Sequence, residues 1–157
     1  MRIGVLSDTH DNLPRIEKAV KLFNQKKAGF VLHAGDFVAP FTIDKLRKLS
    51  CEWLGVFGNN DGEKKGLAEK SESRIRKAPL RIRLDGRKIT VVHDRLTLDF
   101  EKEKADLIIF GHSHKVEIFR LKGRLILNPG ECSGWLSGNA SVAVVDLQTL
   151  EAKIYKV

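Results

Sequence analysis

Seven residues with the side chains of metal ligands stand at the ends of five apolar segments. "RIGVLSDTH" ends in Asp8 and His10, "FVLHAGD" in Asp36 and "WLGVFGN" in Asn59. "KITVVH" ends in His93, and "LIIFGHSH" in His112 and His114. Oxygen and imidazole donors without a thiolate suit manganese, iron, nickel, zinc or cobalt better than a thiolate-dominated zinc site. Asp8 and His10 are two residues apart, as are His112 and His114, and extended chain puts such a pair on one side. Gly35, Gly58 and Gly111 stand directly before Asp36, Asn59 and His112, where a missing side chain lets backbone approach a crowded site. Each residue alone has a plainer role, since an Asp after a strand is commonly a turn residue or a cap. Five strand ends together exceed that role. His33, the fifth histidine, has no paired partner and keeps the plainer role of a hydrogen-bonded surface group.

The elements that must position these residues read as an α/β chain. "RIGVLS" is a short buried strand, after which Asp11 or Asn12 can cap a helix that tolerates Pro14 in its first turn. Leu13, Ile16, Val20 and Phe23 recur at helical spacing, and Gly29 stops the helix. "FVLHAGD", a shorter helix from Phe41 to Leu49 and the strand "WLGVFG" complete a β-α-β-α-β order, which predicts a parallel sheet. Asp61-Gly62 then signals a turn, followed by a charged stretch from Gly62 to Lys77. That stretch reads either as a solvated helix or loop or as a basic rim that draws phosphate.

The second half reads as hairpins. "LRIRL" turns at Asp85-Gly86 into "KITVVH", and "VEIFRL" turns at Lys122-Gly123 into "RLILNPG". "SVAVVDL" and "EAKIYKV" close the chain as a third pair. Crossovers first and hairpins later predict two mixed sheets packed together with helices outside. In such sheets ligands gather outside the carboxyl ends of the strands, where all seven residues fall.

The 157 residues suit one domain spanning 1–157, with 42% hydrophobic and 31% charged residues as in a soluble globular protein. No apolar run approaches the ~20 residues of a membrane helix. Two cysteines, Cys51 and Cys132, make no disulfide framework and point to a reducing compartment, the cytoplasm by default. A formal charge of +8 favours anionic partners, but basic and acidic residues alternate without interleaved aromatics, so nucleic acid is unsupported.

"SDTH", "HAGD", "GNND", "VVH" and "GHSH", in that order, resemble the calcineurin-like metallophosphoesterases, closest to their small single-domain YfcE-like branch. "NPG" at Asn128–Gly130 also resembles that branch. The resemblance implies a four-layer α/β/β/α sandwich and two divalent metal ions, Mn²⁺ or Ni²⁺ first and Fe, Co or Zn as alternatives. It implies that Asp8, His10 and His114 hold one ion, that Asn59, His93 and His112 hold the other, and that Asp36 bridges. A bridging hydroxide would then attack phosphorus in line with the leaving oxygen. The implied activity is phosphodiester or phosphoester hydrolysis of a small substrate, and a homodimer is implied by the resemblance alone.

Three positions depart from the pattern. Asn60 stands where the family carries His or Cys to assist the leaving oxygen, which predicts a preference for esters with good leaving groups. Asp61 reads as a shaper of the turn or as a substitute proton donor. Asp94 follows His93 in place of Gly, to orient His93 or to cap the next turn, and Glu131 follows "NPG" in place of a small hydroxyl residue, where it would alter substrate access. The rival reading is a metal-binding interaction scaffold with weak or no catalysis.

Overall fold

The computed structural model describes residues 1–157 and contains two mixed sheets packed face to face. The first half supplies β1 (Arg2–Leu6), α1 (Leu13–Gln25), β2 (Phe30–His33), α2 (Ile43–Leu46), β3 (Glu52–Val56), α3 (Lys64–Lys70) and β4 (Ile75–Arg76). The second half supplies β5 (Leu80–Leu84), β6 (Arg87–Val91), β7 (Leu107–Ile109), β8 (Val116–Leu121), β9 (Arg124–Pro129), β10 (Ser141–Asp146) and β11 (Glu151–Lys156). The six-stranded sheet runs β11-β10-β1-β2-β3-β4, with β1 to β4 parallel. The five-stranded sheet runs β5-β6-β7-β9-β8, with β6, β7 and β9 parallel.

Alternation sorts the side chains of each strand between layers. Ala143 and Val145 of β10 join Ile3, Val5, Leu32, Val91, Ile109 and Leu127 between the sheets. Val142 and Val144 turn the other way, toward Ile16, Val20 and Phe23 of α1. Asn12 caps α1 with its own side chain, and Pro14 sits in the first turn. The helix lies close on β1, since a Cβ on Gly4 would come within 2.6 Å of the Phe23 ring.

Two elements are shorter than their sequence pattern. The second helix is a 3-10 turn over Pro40–Thr42 that runs into α2, ending before Leu49. β4 has only two residues and lies within the charged stretch, too short to show an alternating pattern. On the outer face of the second sheet, the fourth layer is thin. Val92, Ile108, Phe110 and Ile126 are covered by Leu98, Phe100 and Ala105, from a segment whose regular structure is one 3-10 turn, Arg95–Thr97. Asp94 caps that turn by accepting from Leu96 N at 2.9 Å, which selects the capping role for it over the orientation of His93.

Candidate metal centre

The parallel strands of both sheets end at one edge of the sandwich, and the residues after β1, β2, β3, β6 and β7 meet there. Asp8, His10, Asp36 and His114 place one ligand atom each within 4.8 Å of one another. Asp8 Oδ1 lies 3.4 Å from His114 Nε2 and 3.9 Å from His10 Nε2. A second group is built on Asn59, whose Oδ1 is 2.8 Å from both His93 Nε2 and His112 Nδ1. Asp36 Oδ2 touches both groups, at 3.5 Å from His10 Nε2 and 3.4 Å from His93 Nε2. All seven residues singled out in the sequence are therefore together, and one carboxylate oxygen stands between the two groups.

The protonation pattern of the histidines fits cations. His93 Nδ1 donates to Ala34 O at 2.7 Å, and His114 Nδ1 donates to Glu131 Oε2 at 3.1 Å. In a neutral ring the other nitrogen then carries a lone pair, and both lone pairs are aimed inward at oxygens that are also acceptors. Lone pair against lone pair is unfavourable unless a cation stands between them. Asp8 Oδ1 and His10 Nε2 are buried with no hydrogen-bond partner, which a native structure rarely leaves without a reason. Burial pushes the Asp8 carboxyl up. Burial would also raise Asp36, but the His93 ring beside it and the two hydrogen bonds from Asn60 outweigh it and hold Asp36 well below the usual carboxylate range. Burial would lower His93, but the Asp36 carboxylate beside it raises it.

The backbone is bent to deliver these side chains. Asp8, His10, Asp36, His112 and His114 all have φ between 38° and 65°, the left-handed region that costs a non-glycine residue of order 1 kcal/mol or more. Such strain concentrates at functional sites. The packing is equally tight: a Cβ on Gly58 would stand 2.1 Å from Asp36 Oδ1, and one on Gly111 would stand 1.9 Å from Ser7 Oγ. These two glycines admit no side chain.

Asn60 and Asp61 face this centre differently. Asn60 donates twice to Asp36, from its backbone N to Oδ1 and from Nδ2 to Oδ2, both at 2.8 Å. Asp61 is buried and accepts from Asp36 N, Val38 N and Gly58 N. Three backbone donors on one carboxylate are an arrangement for an acceptor and not for a proton donor, so the turn-shaping role is the one that its geometry supports.

Sequence reasoning misplaced Glu131 and undervalued His33. Glu131 is fully buried and does not gate access. It accepts from His114 Nδ1, from Ser133 Oγ at 2.8 Å and from the backbone N of Leu136 and Ser137. Burial alone would raise its carboxyl, but these donors hold it at about 2. His33 is also buried and not at the surface. Gly35 N donates to its Nδ1, so Nε2 donates to Thr9 Oγ1, which donates on to Asp36 O. That chain ties the loop after β1 to the loop after β2, and burial keeps His33 neutral. Asn128 does the same for the last motif, donating to Gly111 O and Ser113 Oγ.

Around the centre, Phe57, Ala78 and Thr97 line a cavity of about 250 Å³ together with Asn59, His93 and His112. Next to it, Lys64, Lys65 and Lys77 line a second cavity of about 490 Å³. Elsewhere in the charged stretch, Lys70 pairs with Asp44 and Arg74 with Glu72 at the surface. A groove of about 760 Å³ between β8 and β11 holds none of the seven residues.

Likeness to known proteins runs along nearly the whole chain. The calcineurin-like phosphoesterase superfamily domain matches residues 1–150. A phosphodiesterase of Methanocaldococcus jannaschii is 34% identical over 159 aligned residues, covering 96% of each chain. The solved structure of an archaeal phosphodiesterase superposes with a TM-score of 0.94 at 32% identity over 100% of both chains. The YfcE phosphoesterase of E. coli shares the fold, with a TM-score of 0.73 at 21% identity, covering 100% of this chain and 98% of that one. The chain belongs to the calcineurin-like phosphoesterase superfamily and is a metal-dependent phosphoesterase.

Proposed function

We propose that the protein is a dinuclear phosphodiesterase acting on small phosphate esters. The observation that carries this reading is Asp36 Oδ2, placed between two groups of inward-facing donors. Asp8, His10 and His114 would hold one divalent cation, and Asn59, His93 and His112 the other, with Asp36 shared. When bound, a cation pair supplies Lewis-acid stabilisation of the phosphoryl oxygens and acidifies water at neutral pH. The chain's own part is to fix the ligands in advance. His93 and His114 give away their outer N–H groups to Ala34 and Glu131, which fixes ring orientation and tautomer. Asn60 holds the shared carboxylate by both oxygens. Neither Asn60 nor Asp61 offers a proton to the leaving oxygen, which supports a preference for esters with acidic leaving groups. Manganese and nickel suit the nitrogen and oxygen donors, and the free thiols of Cys51 and Cys132 suit a reducing compartment such as the cytoplasm.

The test is hydrolysis of bis-p-nitrophenyl phosphate by metal-stripped protein titrated with Mn²⁺ or Ni²⁺, alongside the number of ions bound. Turnover that rises to a plateau at two ions per chain is expected. Two ions without turnover would leave a metal-binding scaffold instead. The same titration should raise the melting temperature. A ligand at about 100 times its Kd adds ~2.7 kcal/mol, which is about 5–10 °C for a domain of this size, and chelator should reverse it.

Glu131 gives a second check on the ligand assignment. Loss of the carboxylate behind a metal-binding histidine costs about 10–100-fold in metal affinity or activity. Glu131→Gln should weaken metal binding by that factor, read by competition with a chelating dye. Unchanged affinity would remove His114 from the ligand set or Glu131 from its support.

A further inference from the structure

Trp135 and Leu136 are 66% and 77% exposed, beside a centre made almost entirely of polar groups. Exposed apolar side chains occurring singly need no explanation, but two adjacent ones at a site mouth point to a ligand. Their loop is held firmly. Trp135 Nε1 donates to His10 O at 3.2 Å. Leu136 N donates to Glu131, the same carboxylate that accepts from His114. Gly134 and Gly138, both at φ near 70°, turn the chain on either side. An indole ring is thus tied to the backbone of His10, and the support of its loop is shared with His114. The cavity of Phe57, Ala78 and Thr97 lies beside the other group, with His93 and His112. The centre is flanked by an apolar wall on one side and a recess on the other, which suits an ester with two substituents.

We infer that Trp135 and Leu136 receive a planar aromatic substituent of the substrate, an aryl ring or a nucleobase, and that this loop sets selectivity among phosphodiesters. The inference rests on the phosphodiesterase reading and adds to it the class of ester group. A ring stacked on an indole is retained about tenfold more tightly than a methyl group in its place.

The test uses metal-loaded enzyme and ligands that it cannot cleave: methylphosphonate, phenylphosphonate and a nucleoside 5′-methylenephosphonate. Trp53 is only 5% exposed, so quenching of emission by an added ring reports on Trp135. Phenylphosphonate should bind about tenfold more tightly than methylphosphonate and should quench. Trp135→Ala should bring the two affinities within about twofold, whereas Trp135→Phe should keep most of the difference and lose the quenching. Tighter binding of the nucleoside compound than of phenylphosphonate would identify a nucleobase, and equal or weaker binding an aryl group. A phenyl-to-methyl preference that survives in Trp135→Ala would overturn the inference, as would unquenched emission, and in both cases bis-p-nitrophenyl phosphate turnover would leave the phosphodiesterase reading standing. No binding of any phosphonate, together with no turnover, would overturn both.

Discussion

Asp36→Ala is expected to lower kcat/KM on an aryl phosphodiester by at least about 10³-fold, the loss of several kcal/mol of cation-based charge stabilisation. The size follows from where its oxygens lie. Oδ2 stands 3.5 Å from His10 Nε2 and 3.4 Å from His93 Nε2, so its removal takes a ligand from both groups at once. Two cations held close together repel each other, and without the shared negative charge the second should leave first. Bound metal should fall from two ions to one or none, and the rise in melting temperature on adding Mn²⁺ should shrink with it. The fold should survive, because the loop ties run through the backbone of Asp36, whose O accepts from Thr9 and whose N donates to Asp61. Asp36→Asn separates charge from shape: it keeps an acceptor for Asn60 N and removes the charge. If charge is what holds the pair of ions, the two variants should be similarly inactive. Full activity in either, or two ions still bound by Asp36→Ala, would end the shared-ligand assignment.

Much of this centre was legible because buried parallel strands leave a strong trace, an apolar run closed by the first polar residue that reaches the sheet edge. That trace located Asp8, Asp36, Asn59, His93 and His112. Gly58 and Gly111 were legible for a related reason, since no side chain fits where they lie. What the sequence hid is contact across the fold. Glu131 was readable only as a departure from a motif, because nothing in its spacing announces that it lies behind His114. His33 was set aside for lack of a neighbour two residues away, yet its partner is Thr9 on another strand's loop. The thin fourth layer was hidden as well, because Leu98, Phe100 and Ala105 cover the second sheet without helical periodicity.

Replacing Asn60 is expected to change which esters are cleaved, and the structure divides that residue's work into two parts. Its backbone N holds Asp36 Oδ1 and survives any substitution but proline, while Nδ2 holds Oδ2 and is lost in Asn60→Ala. Loss of such an outer hydrogen bond to a ligand costs about 10–100-fold. Asn60→Ala should therefore fall by that factor on aryl and alkyl diesters alike. Asn60→His loses the same amide, but imidazole carries a transferable proton near neutral pH, which an amide does not. General acid assistance is worth about 10²–10⁴-fold where the leaving oxygen needs a proton. A p-nitrophenolate leaves without one, and an alkoxide does not. Measured against Asn60→Ala, the histidine variant should gain about 10²-fold or more on an alkyl ester and little on the aryl ester, with a pH profile that acquires a limb near the imidazole pKa. Equal gains on both esters would show that position 60 does not face the leaving group. Wild-type rates in Asn60→Ala would show instead that Asp36 needs no side chain to hold it.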